Sequence, residues 1–426
     1  MGSVTSSTRR RAEPEWLRYQ GPALLAEDSP VEELARQWGT PLYLYSTNCL
    51  VQKIAEIQRS LEGVPFRLFY ATKANANGAI LHLICNHGLG AEVVSQGELH
   101  LALRAGFPPD HILFTGTGKT PEELCFAAQA GIHAIIVECL SELHLLRSLA
   151  KPVRVGLRIN LGLQVPTHPH LITSAVGTKF GLDEPSLAQA LHLIRHSPNL
   201  VLVGLHTHLG SQIPEVLPYF LALEKLKALA KNLKTEGFPL EFLDLGGGFS
   251  LDFPWSELRK GLEGSALDGL RLYLEPGRYI VAEAGALASR VLHVKEVHGK
   301  DFVIVDAGMN DLLRPALYGA YHPVRVSPWR SGEPRKKVVA GPVCESTDQF
   351  GEYALPPLEP GDLLVFLHTG AYGFSMSSRY NSRPRPAEVL LHHGQPFLIR
   401  ERERLEDLAQ REVVPEWLKW DGSPPL

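Results

Sequence analysis

The sequence has no long apolar run, no basic charge excess and few cysteines. No stretch of the 426 residues reaches the roughly 18 consecutive apolar residues that span a bilayer, and no apolar signal core follows Met1. The net charge of -4 and the pI near 6.5 lack the basic footprint of nucleic-acid binding. These features predict a chain with neither a membrane nor a nucleic-acid partner.

The five cysteines provide no disulfide framework, because they are scattered and none forms a CxxC pair. Such spacing is typical of a reducing compartment, so we expect a cytoplasmic protein. Four of these cysteines lie in apolar surroundings and are expected to be small core residues, whereas the fifth lies in "GPVCES". The cysteines are Cys49, Cys85, Cys125, Cys139 and Cys344.

Strand-like and helix-like segments alternate eight times between residues 67 and 275. The strand-like runs are "RLFYATK", "LGAEVVS", "HILFTG", "AIIVEC", "VRVGLRIN", "LVGLHTHLG", "FLDLGGG" and "LRLYLEPG". The alternation predicts an α/β fold with a parallel (β/α)8 barrel over residues 45–285. A doubly wound parallel sheet is the competing arrangement.

Sequences on either side of the barrel have a different pattern. After residue 285, strand-like runs such as "DFVIVDAG" and "DLLVFLHTGAY" alternate with turns such as "EPGD". We expect residues 16–44 and 286–426 to form a domain rich in antiparallel sheet. Residues 1–15 are polar, contain three consecutive arginines and are predicted to be a disordered tail.

Polar groups and glycines recur where the predicted strands end. The carboxyl ends of barrel strands converge on one mouth, where active sites are built, so these groups are expected to meet. "FYATKANAN" raises a particular question, whether Lys73 is a solvated charge or an amine held for chemistry. The strand-end groups are Lys73, Ser95, Arg158, His208, the three glycines of "LDLGGGF", Glu275 and Arg278.

Three of these strand ends carry groups suited to phosphate. Consecutive glycines expose backbone N–H groups and allow an anion to approach closely, although three glycines alone equally fit a tight turn. "HLGSQ" and "EPGRY" add a hydroxyl and a fixed positive charge. The candidate phosphate residues are Gly210, Ser211, Gly246, Gly247, Gly248, Gly277 and Arg278.

The segment "HTHLG" has two possible uses. Two histidines at alternate strand positions face the same side, which is compatible with a metal site. No carboxylate in the sequence evidently completes such a site, so we expect no metal. His208 beside the phosphate residues is suited instead to stacking on an aromatic cofactor. A lysine, a phosphate site, a stacking histidine and a buried carboxylate together suit pyridoxal phosphate.

The sequence resembles the fold-type III pyridoxal-phosphate decarboxylases, and within them the diaminopimelate decarboxylases. The resemblance extends from residue 69 to 391 and is specific because many motifs agree. They are "FYATKANAN", "VVSQGEL", "HTHLGSQ", "LDLGGGF", "EPGRYIVAEAG", "LLRPALYGAYHP", "GPVCESTDQF" and "GAYGFSMSSRYNSRPRPAEVLL". It implies conversion of meso-2,6-diaminopimelate to L-lysine and CO2, the last step of lysine biosynthesis.

The resemblance also implies a role for individual residues. Lys73 would carry the cofactor covalently, His208 would stack on its ring, and Glu275 would keep the ring nitrogen protonated. Cys344 would donate a proton from the second subunit of a homodimer with shared active sites. The implied phosphate and cofactor contacts are Ser211, Gly246, Gly247, Gly248, Pro276, Gly277, Arg278 and Tyr372. The implied substrate contacts are Arg278, Arg314, Tyr318, Tyr372 and, from the second subunit, Glu345.

Two positions depart from the family pattern. Glu92 stands where aspartate is more frequent, and Arg379 stands where an asparagine is expected. Neither belongs to the residues implied in catalysis, so the expected reaction is unaffected.

Three alternatives to this function remain open. Decarboxylases of ornithine, arginine or carboxynorspermidine would share the cofactor residues. A racemase on a similar barrel would need a tyrosine acid–base in place of the Cys344 segment. A catalytically silent relative would be expected to lose Lys73 or Cys344, and both are present.

Overall fold

The structure, a computed structural model, describes residues 14–163, 177–263 and 267–418. Most of the predicted disordered tail, residues 1–13, lies outside the described residues. The N-terminal elements are β1 (Leu17–Gln20), β2 (Ala23–Ala26), β3 (Ser29–Pro30), α1 (Val31–Trp38), β4 (Leu42–Ser46) and α2 (Thr47–Ser60). The first three strands form a small antiparallel sheet.

The middle of the described chain is a closed barrel of eight parallel strands. They are β5 (Phe66–Ala71), β6 (Gly90–Val93), β7 (Ile112–Phe114), β8 (Ala134–Val137), β9 (Val153–Arg158), β10 (Leu200–His206), β11 (Phe242–Asp244) and β12 (Arg271–Leu274). The helices between them are α3 (Gly78–Asn86), α4 (Gln96–Arg104), α5 (Pro121–Ala130), α6 (Leu140–Leu146), α7 (Glu184–Arg195), α8 (Leu217–Thr235) and α9 (Trp255–Leu262). β12 pairs with β5 and closes the ring. The predicted barrel is confirmed, and the doubly wound alternative is wrong.

Polar caps fix where the barrel helices begin. The side chains of Asn77, Ser95 and Asp183 each accept a hydrogen bond from a backbone N–H in the first turn of α3, α4 and α7. Such caps satisfy amide groups that have no partner inside the helix. The loops at the barrel mouth are therefore anchored at their far ends.

Aromatic side chains fill the barrel interior. Phe69, Phe242 and Tyr273 are buried there, and the last two stack with ring centroids 4.4 Å apart. Gly204 makes room for this packing, because a Cβ there would lie 2.2 Å from the Phe242 ring. The interior is thus a packed core, which leaves the mouth as the place for chemistry.

In the described residues after the barrel, three short α-helices accompany eight strands, and these strands form a second sheet together with β4. The elements are α10 (Arg278–Val281), β13 (Gly285–Val297), β14 (Lys300–Val305), α11 (Arg314–Tyr318), β15 (Val324–Ser327), β16 (Arg335–Ala340), β17 (Gln349–Leu355), β18 (Leu363–Leu367), β19 (Ala387–His392), β20 (Gln395–Arg400) and α12 (Leu405–Ala409). The sheet is mixed, since β14 pairs with β16 and β4 pairs with β19 in parallel. Its other pairs are antiparallel, in line with the predicted β-rich domain.

Strand β4 joins the chain's beginning to this second sheet. It precedes the barrel in sequence but lies between β13 and β19. Tyr19 extends the connection, because its hydroxyl donates to the carbonyl of Val326 at 2.7 Å. On this pairing we propose that residues 16–44 and 286–426 form one domain beside the barrel of residues 45–285. Within the described ranges, no helix has the length and apolar character needed to cross a membrane.

Candidate active site

Lys73 lies at the barrel mouth, on a 3-10 turn (Thr72–Ala74) that directly follows β5. Its Nζ donates to Glu92 Oε2 at 2.8 Å; the Lys73 side chain is 33% exposed and that of Glu92 is fully buried. Burial would lower the pKa of Lys73, but its interactions with Glu92, Tyr372 and Glu275 together outweigh burial and raise it. Lys73 is therefore not a solvated surface charge: its amine is fixed by Glu92, and part of its side chain remains accessible at the mouth.

Glu92 and Glu98 fasten this turn. Glu92, on β6, also accepts from the Thr115 hydroxyl, and burial raises its pKa despite the nearby ammonium. Glu98 accepts from the Thr72 hydroxyl at 2.6 Å and from the Val94 amide at 2.9 Å. Sequence reasoning placed Glu92 outside the catalytic residues and missed Glu98. The contact between Lys73 and Glu92 depends on the register of β5 and β6, which aligns Ala71 with Glu92, and the sequence alone carries no signal of that register.

Glu275 lies at the base of the mouth with two other buried titratable groups. His206 Nε2 is 3.3 Å from Glu275 Oε1, and ligand atoms of His206, Asp244 and Glu275 lie within 4.8 Å of one another. Asp244 and Glu275 are thus the acidic neighbours of His206, the first histidine of the His-x-His pair, that the sequence alone did not identify. Burial would raise the pKa of Glu275, but its interactions with His206 and Lys73 hold it well below its usual range. Burial and the charge of Glu275 raise the pKa of Asp244 well above its usual value.

The hydrogen bond that His208 accepts identifies the tautomer of its neutral imidazole. The Gly247 amide donates to His208 Nδ1 at 3.1 Å, so this nitrogen carries a lone pair and the proton is on Nε2. Burial and the positive charge of Lys73 lower the pKa of His208 well below its usual value, in agreement with this assignment. Its ring is thereby fixed beside the glycine loop, as expected for a stacking role.

The glycine loop is shaped by close backbone contacts. A Cβ at Gly247 would lie 2.3 Å from the Glu275 carbonyl oxygen, and one at Gly248 would lie 2.2 Å from the Gly210 carbonyl oxygen. The amide of Gly246 donates to Asp244 Oδ1 at 2.8 Å. The loop therefore brings the ends of β10, β11 and β12 together, as the sequence predicted. Phosphate binding by its amides stays a prediction.

Arg278 and Ser211 come together at the same mouth. Arg278 Nη2 donates to Ser211 Oγ at 3.3 Å, and the guanidinium carbon lies 4.7 Å from the ring centre of Tyr372. The Tyr372 amide donates to the Ala74 carbonyl at 2.8 Å, which places this tyrosine beside the Lys73 turn. The predicted groups from three separate segments thus form one site.

A cavity of about 130 Å³ opens beside this site and is lined by Arg278, Arg314, Tyr318 and His322 among others. The guanidinium of Arg314 is buried, and Nε of both arginines has no hydrogen-bond partner among the described residues. Burial and the charge of Arg278 lower the pKa of Arg314 to about 10. In the described part of the chain, neither guanidinium has an ion pair with a carboxylate. One buried and one partly buried guanidinium, neither neutralised by a described carboxylate, favour an anionic ligand at this cavity.

Cys344 and Glu345 lie apart from this cavity in the same chain. Both are exposed, and neither lines the cavity. The Cys344 amide donates to Asn381 Oδ1 at 2.9 Å, and the Tyr380 hydroxyl donates to Glu345 Oε1 at 2.6 Å. Within one chain these residues are therefore outside the cavity lining, and a role there would need them to come from a second subunit.

Arg379, the other departure from the family pattern, belongs to a salt-bridge cluster. Its Nε and Nη2 donate to Glu403 at 2.9 and 2.8 Å, and Arg385 donates to the same carboxylate. Burial would raise the pKa of Glu403, but these two arginines lower it to about 2. Arg379 thus ties the segment before β19 to the segment after β20, a structural task separate from the cavity.

The side chains at the mouth fit pyridoxal phosphate. This cofactor needs an amine for its aldehyde, an acid beside its ring nitrogen, and donors for its phosphate. Lys73 would supply the amine, and the buried Glu275, with its lowered pKa, would supply the acid. Arg278, whose Nε is buried without a partner among the described residues, and Ser211 would supply phosphate donors.

Comparison with known proteins identifies the family of this chain. Residues 48–282 match the model of the pyridoxal binding domain of pyridoxal-dependent decarboxylases. Diaminopimelate decarboxylase of Aquifex aeolicus is 38% identical over 411 residues, covering 93% of this chain and 97% of the relative. Its counterpart from Helicobacter pylori strain J99 is 41% identical over 396 residues, with 90% and 98% coverage.

A solved structure agrees with these matches. The crystal structure of Helicobacter pylori diaminopimelate decarboxylase complexed with L-lysine has a TM-score of 0.85 and 39% sequence identity. The match covers 89% of this chain and 98% of that one. The predicted resemblance, fold type and cofactor are confirmed. The protein is a pyridoxal-phosphate-dependent carboxy-lyase, and the chain belongs to the diaminopimelate decarboxylase family of pyridoxal-dependent decarboxylases.

Proposed function

We propose that the protein decarboxylates meso-2,6-diaminopimelate to L-lysine and CO2, the last step of lysine biosynthesis. The observation that carries this proposal is a pair of guanidiniums, the partly buried Arg278 and the buried Arg314, without a carboxylate partner among the described residues. Diaminopimelate brings a second carboxylate at the end remote from the reaction. A guanidinium can grip that carboxylate through two parallel hydrogen bonds.

The remote head of the substrate also discriminates between amino acids. Ornithine, or lysine offered as a substrate, would place no carboxylate beside Arg314 and would leave its charge unmatched. An unmatched charged group in a buried site costs on the order of 2–5 kcal/mol, a discrimination of tens to thousands-fold. Arg314 could in principle serve only to pair with an acidic neighbour. Among the described residues, however, its hydrogen-bond partner is the imidazole of His322 and not a carboxylate.

Each residue of the site has a defined task in the proposed reaction. Loss of CO2 breaks the bond between Cα and the carboxylate carbon and leaves the electron pair on Cα. Bound pyridoxal phosphate supplies the ring that delocalises this pair. Glu275 would hold a negative charge at the ring nitrogen, His208 would pack on the ring face, and Lys73 would anchor the cofactor.

A second subunit completes the proposed site. Cys344 of that subunit delivers the proton to Cα, and its Glu345 binds the remote ammonium of the substrate. The proposal rests on the exposure of both residues within one chain and on their absence from the cavity lining. It therefore requires a homodimer with shared active sites. We further infer a cytoplasmic location, since all five cysteines are free thiols.

A substrate panel tests the proposed activity. CO2 release should be faster from diaminopimelate than from lysine, ornithine, arginine or carboxynorspermidine by at least tens-fold in kcat/KM, because only diaminopimelate matches both arginines and Glu345. Equal efficiency on ornithine or lysine would show that the substrate assignment is wrong while leaving the cofactor chemistry intact. Interconversion of amino-acid enantiomers without CO2 release would instead identify a racemase.

Subunit mixing tests the shared site. Lys73→Ala and Cys344→Ala proteins should each be inactive, but a one-to-one mixture should recover about a quarter of wild-type turnover. Random exchange makes half of the dimers hybrid, and each hybrid contains one intact site out of two. Exchange is verified with mass-labelled subunits. Full exchange without recovered turnover would place Lys73 and Cys344 of one chain in the same site.

A further inference from the structure

His322 is buried between the cavity and the second sheet. Its side chain is 1% exposed and lines the cavity beside Arg314. Two hydrogen bonds hold its backbone at consecutive carbonyl groups. The Tyr353 hydroxyl donates to the His322 carbonyl at 3.0 Å, and the Leu367 amide donates to the Pro323 carbonyl at 2.8 Å. The imidazole therefore has little freedom to move.

The two ring nitrogens of His322 have partners of opposite kind. Nδ1 lies 2.8 Å from the Leu367 carbonyl oxygen, which can only accept, so Nδ1 carries the proton. Nε2 lies 3.2 Å from Arg314 Nη1, which can only donate, so Nε2 presents a lone pair. A protonated ring would set an N–H group against the guanidinium. Burial and the charge of Arg314 lower the pKa of His322 to about 3, in keeping with a neutral ring.

This arrangement gives Arg314 a defined orientation. His322 Nε2 is the hydrogen-bond acceptor that the described residues offer to the guanidinium, and it takes one Nη1 hydrogen. A guanidinium has five N–H donors, so the remaining ones are left for a ligand. A neutral acceptor serves this purpose better than a carboxylate, since it fixes the guanidinium without neutralising its charge.

We propose that His322 is a positioning residue that aims Arg314 at the remote carboxylate of the substrate and so helps to determine specificity. The inference deepens the proposed function and rests on it. The product offers a direct probe, because decarboxylation at one end of diaminopimelate leaves the remote head intact in L-lysine. Cadaverine has the same carbon chain and amines but no carboxylate, so it serves as the matched ligand.

The experiment measures binding of L-lysine and cadaverine to the pyridoxal-phosphate-loaded protein by calorimetry. His322→Asn keeps a donor near the Nδ1 position and loses the acceptor, whereas His322→Gln keeps an acceptor near the Nε2 position. We expect His322→Asn to weaken L-lysine roughly tenfold, the usual effect of losing a hydrogen bond to a charged group. His322→Gln should retain most of the affinity, and both variants should bind cadaverine within twofold of wild type.

Arg314→Lys is the reference variant that separates the two proposals. If it weakens L-lysine while His322→Asn does not, the role of His322 is overturned and the proposed substrate stands. If Arg314→Lys leaves L-lysine affinity unchanged, the assignment of the remote carboxylate is overturned together with the inference. Equal loss of L-lysine and cadaverine in His322→Asn would show a general disturbance of the cavity and would also overturn it. Thermal unfolding and the cofactor absorbance spectrum confirm that each variant is folded and loaded.

Discussion

Replacement of Lys73 by alanine should abolish the visible absorbance of the covalently bound cofactor and reduce turnover by several orders of magnitude. Lys73 is the amine at the mouth beside Glu275, Ser211 and Arg278, and no other side-chain type in that set can form the covalent linkage. Borohydride reduction of the wild-type protein should fix the cofactor on the peptide that contains Lys73. Mass spectrometry of the digest checks this directly.

The structural contribution of Lys73 has to be separated from the chemical one. Lys73→Ala leaves the fully buried carboxylate of Glu92 without its cation, at a cost on the order of 3 kcal/mol in the free energy of unfolding. Lys73→Arg keeps a positive charge opposite Glu92 but cannot form the linkage, so it should be more stable than Lys73→Ala and equally inactive. Retention of turnover in a folded Lys73→Arg protein would refute the assigned role.

The positions of the main site residues follow from periodicity, because parallel barrel strands bring all their carboxyl ends to one mouth. "FYATK", "HTHLG", "LDLGGG" and "EPGR" each end an apolar run. Their convergence could therefore be predicted without knowing any side-chain conformation. Lys73, Glu275 and the glycine loop were all predicted in this way as parts of one site.

Contacts that depend on register or on irregular segments could not be predicted in this way. The pairing of Lys73 with Glu92 requires the offset between β5 and β6, which is set by how the strands pack. The contact between Arg314 and His322 joins α11 to the irregular segment before β15, where no period applies. The salt bridge between Arg379 and Glu403 depends on how the segments around β19 and β20 fold together.

The sequence also left the surroundings of the His-x-His pair open. His206 ends β10, and Asp244 ends β11 directly beside it, so both meet Glu275 in the buried base of the mouth. One strand read alone shows which face a histidine occupies, but it does not show the acids on neighbouring strands. The structure thereby presents two buried carboxyls within 4.8 Å of one imidazole, and their protonation states decide what each can do.

Glu275→Gln should lower kcat by about 10²–10³-fold, the usual loss when a preorganised charge is removed from an active site. The negative charge of Glu275 persists in the buried site because its interactions with His206 and Lys73 hold its pKa well below its usual range against the effect of burial. Glutamine keeps the shape of the side chain but cannot hold a proton on the ring nitrogen of the cofactor. The change should also alter the cofactor absorbance spectrum, which is measured together with turnover.

Asp244→Asn is the matched control for this prediction. Burial and the adjacent Glu275 raise the pKa of Asp244 well above its usual value, whereas the pKa of Glu275 is lowered, so Asp244 is the acid of the pair that keeps its proton more readily, and asparagine is close to that protonated form in shape and charge. Asp244 Oδ1 accepts from the Gly246 amide, and the amide oxygen of asparagine can keep that bond. Asp244→Asn should therefore keep kcat within a few-fold of wild type while Glu275→Gln does not. The opposite ranking, in two proteins with equal melting temperatures, would mean that Asp244 carries the charge and would transfer the role of ring-nitrogen partner away from Glu275.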